Sequence, residues 1–83
     1  MNKLHDLPNI STVIEAELIH AGITTPEMLM ENGSKKAFAK IRENNGTACV
    51  SMLCALEGAI EGIRWYNLPA KTKDELNKFY NTL

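Results

Sequence analysis

The sequence predicts an all-α fold, a small five-helix domain packed around one central buried helix. Three observations carry that expectation. Apolar residues recur at helical spacing in five segments, and no run alternates as a strand does. Cap formers and breakers separate those segments at short intervals. One segment, Thr47 to Trp65, is longer, more apolar and freer of breakers than any other, and is predicted as the central helix.

Residues 1–6 are expected to form a short turn or frayed start, with Leu4 against the core. Pro8 disfavours helix at Leu7, and Asn9, Ser11 and Thr12 are turn and cap formers. Thr12 with Glu15 fits a capping box, so a first helix should start at Ser11 or Thr12 and stop at Gly22. Its inner stripe is Ile10, Ile14, Leu18 and Ala21, while Glu15, Glu17 and His20 face water or the edge. Thr25 as N-cap with Pro26 at the first helical position starts a second helix, short because Gly33 ends it. Met28 and Leu29 are its apolar contributions. Ser34 is expected to cap a third helix that runs to Asn45-Gly46, with Ala37, Phe38 and Ile41 facing inward. Thr47 is expected to cap the central helix. After a turn at Tyr66-Asn67-Leu68-Pro69, Thr72 and Glu75 fit another capping box. The last helix turns Leu76, Phe79 and Tyr80 inward.

At about 100° per residue the central stretch sorts into three faces. Cys49, Met52, Leu53, Leu56, Ile60 and Ile63 make a large apolar face, and Ser51, Ala55, Gly58 and Gly62 a small one. Glu57, Glu61 and Arg64 make the polar face, with Val50 and Cys54 beside them. A glycine inside a helix costs roughly 1 kcal/mol relative to alanine. Two glycines on one face therefore point to close packing there rather than to tolerated defects.

With 83 residues, 45% apolar and 23% charged, the chain suits one soluble domain over 1–83 with one modest core. A net charge of -1 excludes whole-molecule attraction to nucleic acid or an anionic membrane, so any such contact must use a local patch. The N-terminal residues contain no apolar run of signal-peptide length, and no segment approaches a membrane span. A cytoplasmic location is expected, without membrane association. Cys49 and Cys54 fall about 140° apart on one helix and should remain unpaired thiols, as suits a reducing compartment. Neither they nor His5 and His20 have metal-ligand spacing.

Catalysis is not expected, and no cofactor motif is present. His20 fits a surface imidazole near a helix end, and Glu57 and Glu61 fit a solvated face beside Arg64. Lys35, Lys36, Lys40 and Arg42 form a basic patch on the third helix, with Glu43 among them and without interleaved aromatics in the sequence. A solvated face is the favoured reading, and a weak phosphate contact the second. Trp65 is expected to close the end of the core, with an exposed recognition anchor as the alternative.

The segment LPNISTVIEAELIHAGITTPEML resembles the start of the TfoX C-terminal domain family, whose members read Leu-Pro-Asn-Ile-Gly, a helix, then Ala-Gly-Ile-x-Thr. Gly22 falls in that second element. The segment MLCALEGAIEGIRWYNLP, followed by KDEL, is similar to the family's second signature, matched here by Ala55, Leu56, Glu57, Gly58, Ala59, Gly62 and Trp65. NGSKKAFAKIR resembles the basic helix between them. The resemblance implies a fold related to helix-hairpin-helix domains and a place among regulators of competence for DNA uptake. In larger relatives the domain follows an N-terminal one, which is not expected here because Met1 lies just before the first motif. Ser11 stands where the family's hairpin carries glycine, and Cys54 where it carries tyrosine. Without a glycine, a hairpin built on Asn9 and Ser11 gives backbone N–H groups a poorer approach to phosphate. The expected function is therefore a non-enzymatic regulatory module acting on a protein partner. The second reading is a weak nucleic-acid binder using Asn9, Ser11, Lys35, Lys36, Lys40 and Arg42. The residues leave the partner and the oligomeric state open.

Overall fold

A computed structural model describes residues 3–83. Four α-helices run in order through it, α1 (Thr12–His20), α2 (Pro26–Asn44), α3 (Val50–Glu61) and α4 (Ala70–Asn81). Two single 3₁₀ turns, Leu4–Asp6 and Trp65–Asn67, precede α1 and α4. α3 packs against α2, α4 and the second 3₁₀ turn, while α1 packs on α2 and the first. Leu18, Ile23, Leu29, Phe38, Ile41, Leu53 and Leu56 are fully enclosed between them, and Leu4 from the first 3₁₀ turn and Leu76 from α4 join the same core. Leu4 thus sits in the core as the sequence suggests; the part of that expectation at residues 1 and 2 lies outside the described residues.

Local chemistry explains most boundaries. Ser11 caps α1, its hydroxyl accepting from Ile14 N at 3.2 Å. The Thr12–Glu15 box does not form, because the Glu15 carboxylate turns to His5 instead. Gly22, at φ 87°, ends α1, with Ile23 N donating to Leu18 O at 2.8 Å and Gly22 N to Ile19 O at 3.0 Å. Those two bonds satisfy the last carbonyls of the helix, and the buried Leu18 and Ile23 accompany them. Thr25 caps α2 through Met28 N, with Pro26 behind it.

The expected second and third helices are one kinked helix, so the count is four rather than five. Gly33 (φ 79°, ψ 162°) breaks the helical conformation for one residue only, and the chain resumes helix without a connecting loop. Ser34 is not a cap. It is buried, and its hydroxyl crosses to Glu57 Oε1 at 2.5 Å. Ala37, Phe38 and Ile41 face inward as expected.

The central helix is shorter than the stretch 47–65. Asn45 Oδ1 accepts from both the N–H and the hydroxyl of Thr47, which folds Asn45–Thr47 into a turn and moves the N-cap to Cys49. Cys49 is therefore exposed, not part of the large apolar face, whereas Cys54 is buried. At the other end Gly62 is not a member of a packed small face. It adopts the left-handed conformation (φ 75°) and stops the helix, with Ile63 N donating to Gly58 O at 2.9 Å. Ser51, also assigned to the small face, is exposed. α4 starts at Ala70 behind Pro69, before Thr72, so the second capping box is not used.

The element before the Leu7–Ser11 turn is one 3₁₀ turn and not an α-helix. The fold is all-helical, and the helix-hairpin-helix relation is not established by it.

Candidate interaction surface

Asn9 and Gly58, one from each of the two signature segments, lie against each other, and the contact is structural. Asn9 is the one non-glycine described residue with positive φ, at 70°. Asparagine tolerates that conformation better than most residues. Its Nδ2 donates to Ile63 O at 2.9 Å and, at 3.5 Å, to Ala55 O, while its Oδ1 accepts from Trp65 N at 3.1 Å. A Cβ on Gly58 would stand 2.5 Å from Asn9 Nδ2 and 2.8 Å from Ile63 O. The close packing expected at Gly58 is present, made by the Asn9 amide and the chain leaving α3. Asn9 thus spends both ends of its amide inside the protein, and Ser11 spends its hydroxyl on the α1 cap. Ala55, Leu56 and Ala59 are buried beside Gly58.

Trp65 does not close the core. It is 48% exposed, and Tyr66 is 59% exposed beside it. The two rings stand edge to face, 5.7 Å between centroids. Their backbone is held from two sides, by Asn9 at Trp65 N and by Lys73 Nζ, which donates to Tyr66 O at 3.2 Å. Leu68, three residues on, is the buried anchor of this turn. Sequence reasoning overlooked Tyr66. Its signal was adjacency to Trp65 beyond a glycine that ends a helix.

The basic patch divides. Lys35 and Lys36 are exposed, Lys40 and Arg42 half-buried. Arg42 donates to Ala48 O at 3.0 Å and lies over the Tyr80 ring, 5.3 Å from its centroid. Lys35 lies 5.8 Å from the centroid of Phe79. Aromatic rings absent from the local sequence are thus supplied by α4, but their faces are taken by these cations. Lys36 and Lys40 lie on the opposite flank of α2. Asn9 and Ser11 belong to another element, so the six expected contact residues do not form one cluster.

Glu57 receives the Ser34 hydroxyl and neighbours Glu61 one turn on. The hydrogen bond with Glu57, followed by burial and the Glu57 charge, raises the Glu61 carboxyl above its ordinary value. Backbone N–H groups of Met52 and Ser51 hold the Cys49 thiol below its ordinary value, whereas burial pushes Cys54 up against an opposing pull from Lys73. His20 is exposed at the rim of a shallow pocket with Glu17, Asn44 and Asn45. Among the described residues, no three His, Cys, Asp or Glu side chains gather as a metal site. No described helix is long and apolar enough to cross a membrane.

Comparison with known proteins matches this architecture. A solved structure of an uncharacterized protein from Listeria monocytogenes, in a triclinic crystal form, superposes with a TM-score of 0.96 at 51% identity, covering 98% of this chain and 92% of that one. A tetragonal form of a Listeria protein of unknown function gives 0.93 at 52% identity, with 95% and 96% covered. Protein Sxy of Escherichia coli K12 is 36% identical over 81 residues, 98% of this chain and 39% of Sxy. The DNA transformation protein TfoX of Haemophilus influenzae is 31% identical, over 98% of this chain and 37% of TfoX. The chain spans about two fifths of the length of these curated relatives. The family model for the TfoX C-terminal domain matches residues 1–80, and the chain belongs to that family.

Proposed function

We propose that this chain is a non-enzymatic, cytoplasmic regulatory module that acts through protein–protein contacts. The observation that supports it is the Trp65–Tyr66 pair. Tryptophan and tyrosine are the side chains most enriched at interface hot spots. Here both are exposed on a turn whose backbone is already fixed by Asn9 and Lys73, so little ordering entropy opposes binding. The Haemophilus relative is a DNA transformation protein, and the module shared with it is the part proposed here to engage a regulatory partner.

The test compares capture of native binding partners by the wild type, by Trp65→Ala/Tyr66→Ala and by Lys36→Glu/Lys40→Glu. Loss in the aromatic variant alone, at unchanged melting temperature, is expected. Capture that survives the aromatic change, or fails only with the lysine change, rejects the reading.

A nucleic-acid reading rests on Lys36 and Lys40, the two patch cations not engaged with α4 rings. Two phosphate contacts give a slope of about -1.8 in log affinity against log salt, with Kd in the nonspecific range of roughly 10⁻⁴ to 10⁻⁶ M. A salt titration of a DNA probe measures this. Lys36→Glu/Lys40→Glu should abolish it.

A further inference from the structure

The turn that carries the exposed rings is framed by positive charge. Arg64 directly precedes Trp65, is exposed, and forms no ion pair among the described residues. Lys73 reaches back from α4 to Tyr66 O at 3.2 Å, which sets the first turn of α4 beside the rings. An ammonium has three donors, and that contact uses one. The first turn of α4 contains no acid, and its N-cap Pro69 supplies no side-chain hydrogen bond, so the helix dipole adds charge of the same sign. From Gly62 to Lys73 the chain has no carboxylate. The acids that bound this stretch are engaged elsewhere, Glu61 with Glu57 and Asp74 with Lys78 at 3.2 Å. Lys71 and Glu75 both fall about 160° round α4 from Lys73 and offset each other. The chain has a net charge of -1, so without Arg64 and Lys73 the rest sums to -3. Positive potential at the rings is therefore local.

We propose that the partner segment received by this turn is acidic. One apolar side chain of that segment sits in the angle between the Trp65 and Tyr66 rings, and carboxylates on either side of it meet Arg64 and Lys73. The proposal rests on the ring pair as the docking point and adds the chemistry of what docks. The rings stand at 83° with centroids 5.7 Å apart, which makes a notch for a single side chain. A guanidinium takes a carboxylate through two parallel hydrogen bonds, so Arg64 fixes direction as well as charge.

Charge and geometry set this occupant apart from two others. A cationic side chain is drawn to an aromatic face, but here it would meet Arg64 and Lys73. A single nucleic-acid strand stacks successive bases on ring faces, and two rings at 83° cannot both lie parallel to neighbouring bases. Its evenly charged backbone would also run onto the negative remainder of the chain.

Trp65 is the single tryptophan of the chain, so its fluorescence reads the site directly. The probe is a synthetic peptide with a central Leu-Phe between runs of glutamate, titrated to about 1 mM. The controls are the same peptide with glutamine for every glutamate, and an oligothymidylate of equal charge. Emission should shift to the blue and saturate with the glutamate peptide, and both controls should bind about tenfold more weakly or not at all. Arg64→Gln should weaken peptide binding about threefold and Arg64→Glu about tenfold, at unchanged melting temperature. Lys36→Glu/Lys40→Glu should leave it as in the wild type. No saturable change with the glutamate peptide, equal binding of the glutamine peptide, wild-type binding by Arg64→Glu, or tighter binding of the oligothymidylate each overturns the proposal. Capture of native partners that is lost in Trp65→Ala/Tyr66→Ala but kept in Arg64→Glu overturns the acidic segment alone and leaves the docking point standing. Capture that survives the aromatic change overturns both.

Discussion

α3 and α1 are similarly rich in apolar residues and meet opposite fates. α3 buries Leu53, Cys54, Ala55, Leu56, Gly58 and Ala59, positions spread around most of its circumference. α1 fully buries Leu18 alone and leaves Val13 and Ile19 in water. The difference lies in what surrounds each helix. α2, α4 and the chain returning through Trp65 enclose α3, while α1 rests on α2 and one 3₁₀ turn. Apolar composition thus states what a helix can bury, and topology decides what it does bury. The surplus on α1 stays at the surface.

Substitution at Gly58 tests the enclosure of α3 most severely. Gly58→Leu should cost at least about 3 kcal/mol, the upper end for overpacked sites. Gly58→Ala is the sharper probe. In an open helix it would gain roughly 1 kcal/mol, but here the new methyl meets the Ile63 carbonyl, a backbone group with little room to yield. A loss of about 1–3 kcal/mol is expected, read from chemical denaturation. A gain would show that α3 has a free side and would dissolve the contrast with α1.

Asn9→Ala comes next. It removes two close hydrogen bonds and places alanine at φ 70°, for an expected loss of about 2–3 kcal/mol. Asn9→Gly keeps the lost bonds lost but relieves the backbone, so it should be the milder of the two. Equal melting temperatures for both would show that the dihedral carries no cost.

Glu61 marks the open edge of α3. Its carboxyl is raised in the folded state by Glu57, so the native protein holds that proton more tightly than the unfolded chain. Unfolding then releases a proton between the two values, and stability falls as pH rises through that window. Glu61→Gln should therefore raise the melting temperature slightly at pH 7 and leave it unchanged at pH 3. The group is well exposed, which keeps the effect small.

The smallest effect is expected on α1. Val13→Ser and Ile19→Ser should each change stability by no more than about 0.5 kcal/mol, as for ordinary surface positions. A larger loss would mean that the fold uses this face.

What was legible in the sequence follows the range of each interaction. The Thr25–Pro26 start, the Gly22 stop and the inward Ala37, Phe38 and Ile41 depend on neighbours within a turn or two, and they stand as expected. Gly62 and Trp65 were misplaced because helical periodicity continues smoothly through a residue that in fact turns left-handed. The Thr72 box has the right letters, but Pro69 had already opened the helix. Asn9 matched a family pattern, yet nothing near it in sequence announces partners at Ile63 and Trp65. The rings beneath Lys35 and Arg42 likewise come from α4, 44 and 38 residues downstream.

The Asn9 clasp also orders events in time. Its two close partners lie 54 and 56 residues further along the chain. At a synthesis rate of about 5–20 residues per second, they emerge roughly 3–11 seconds after Asn9 itself. Through that interval the Leu7–Ser11 turn has nothing to grip, and α1 shows its apolar surface on every side. The step that joins the beginning of the chain to the end of α3 closes a long loop, so it belongs late on the folding route. Loss of the Asn9 amide should accordingly hasten unfolding and leave the folding rate nearly untouched. A residue close to the start of the described fold acts as its final latch.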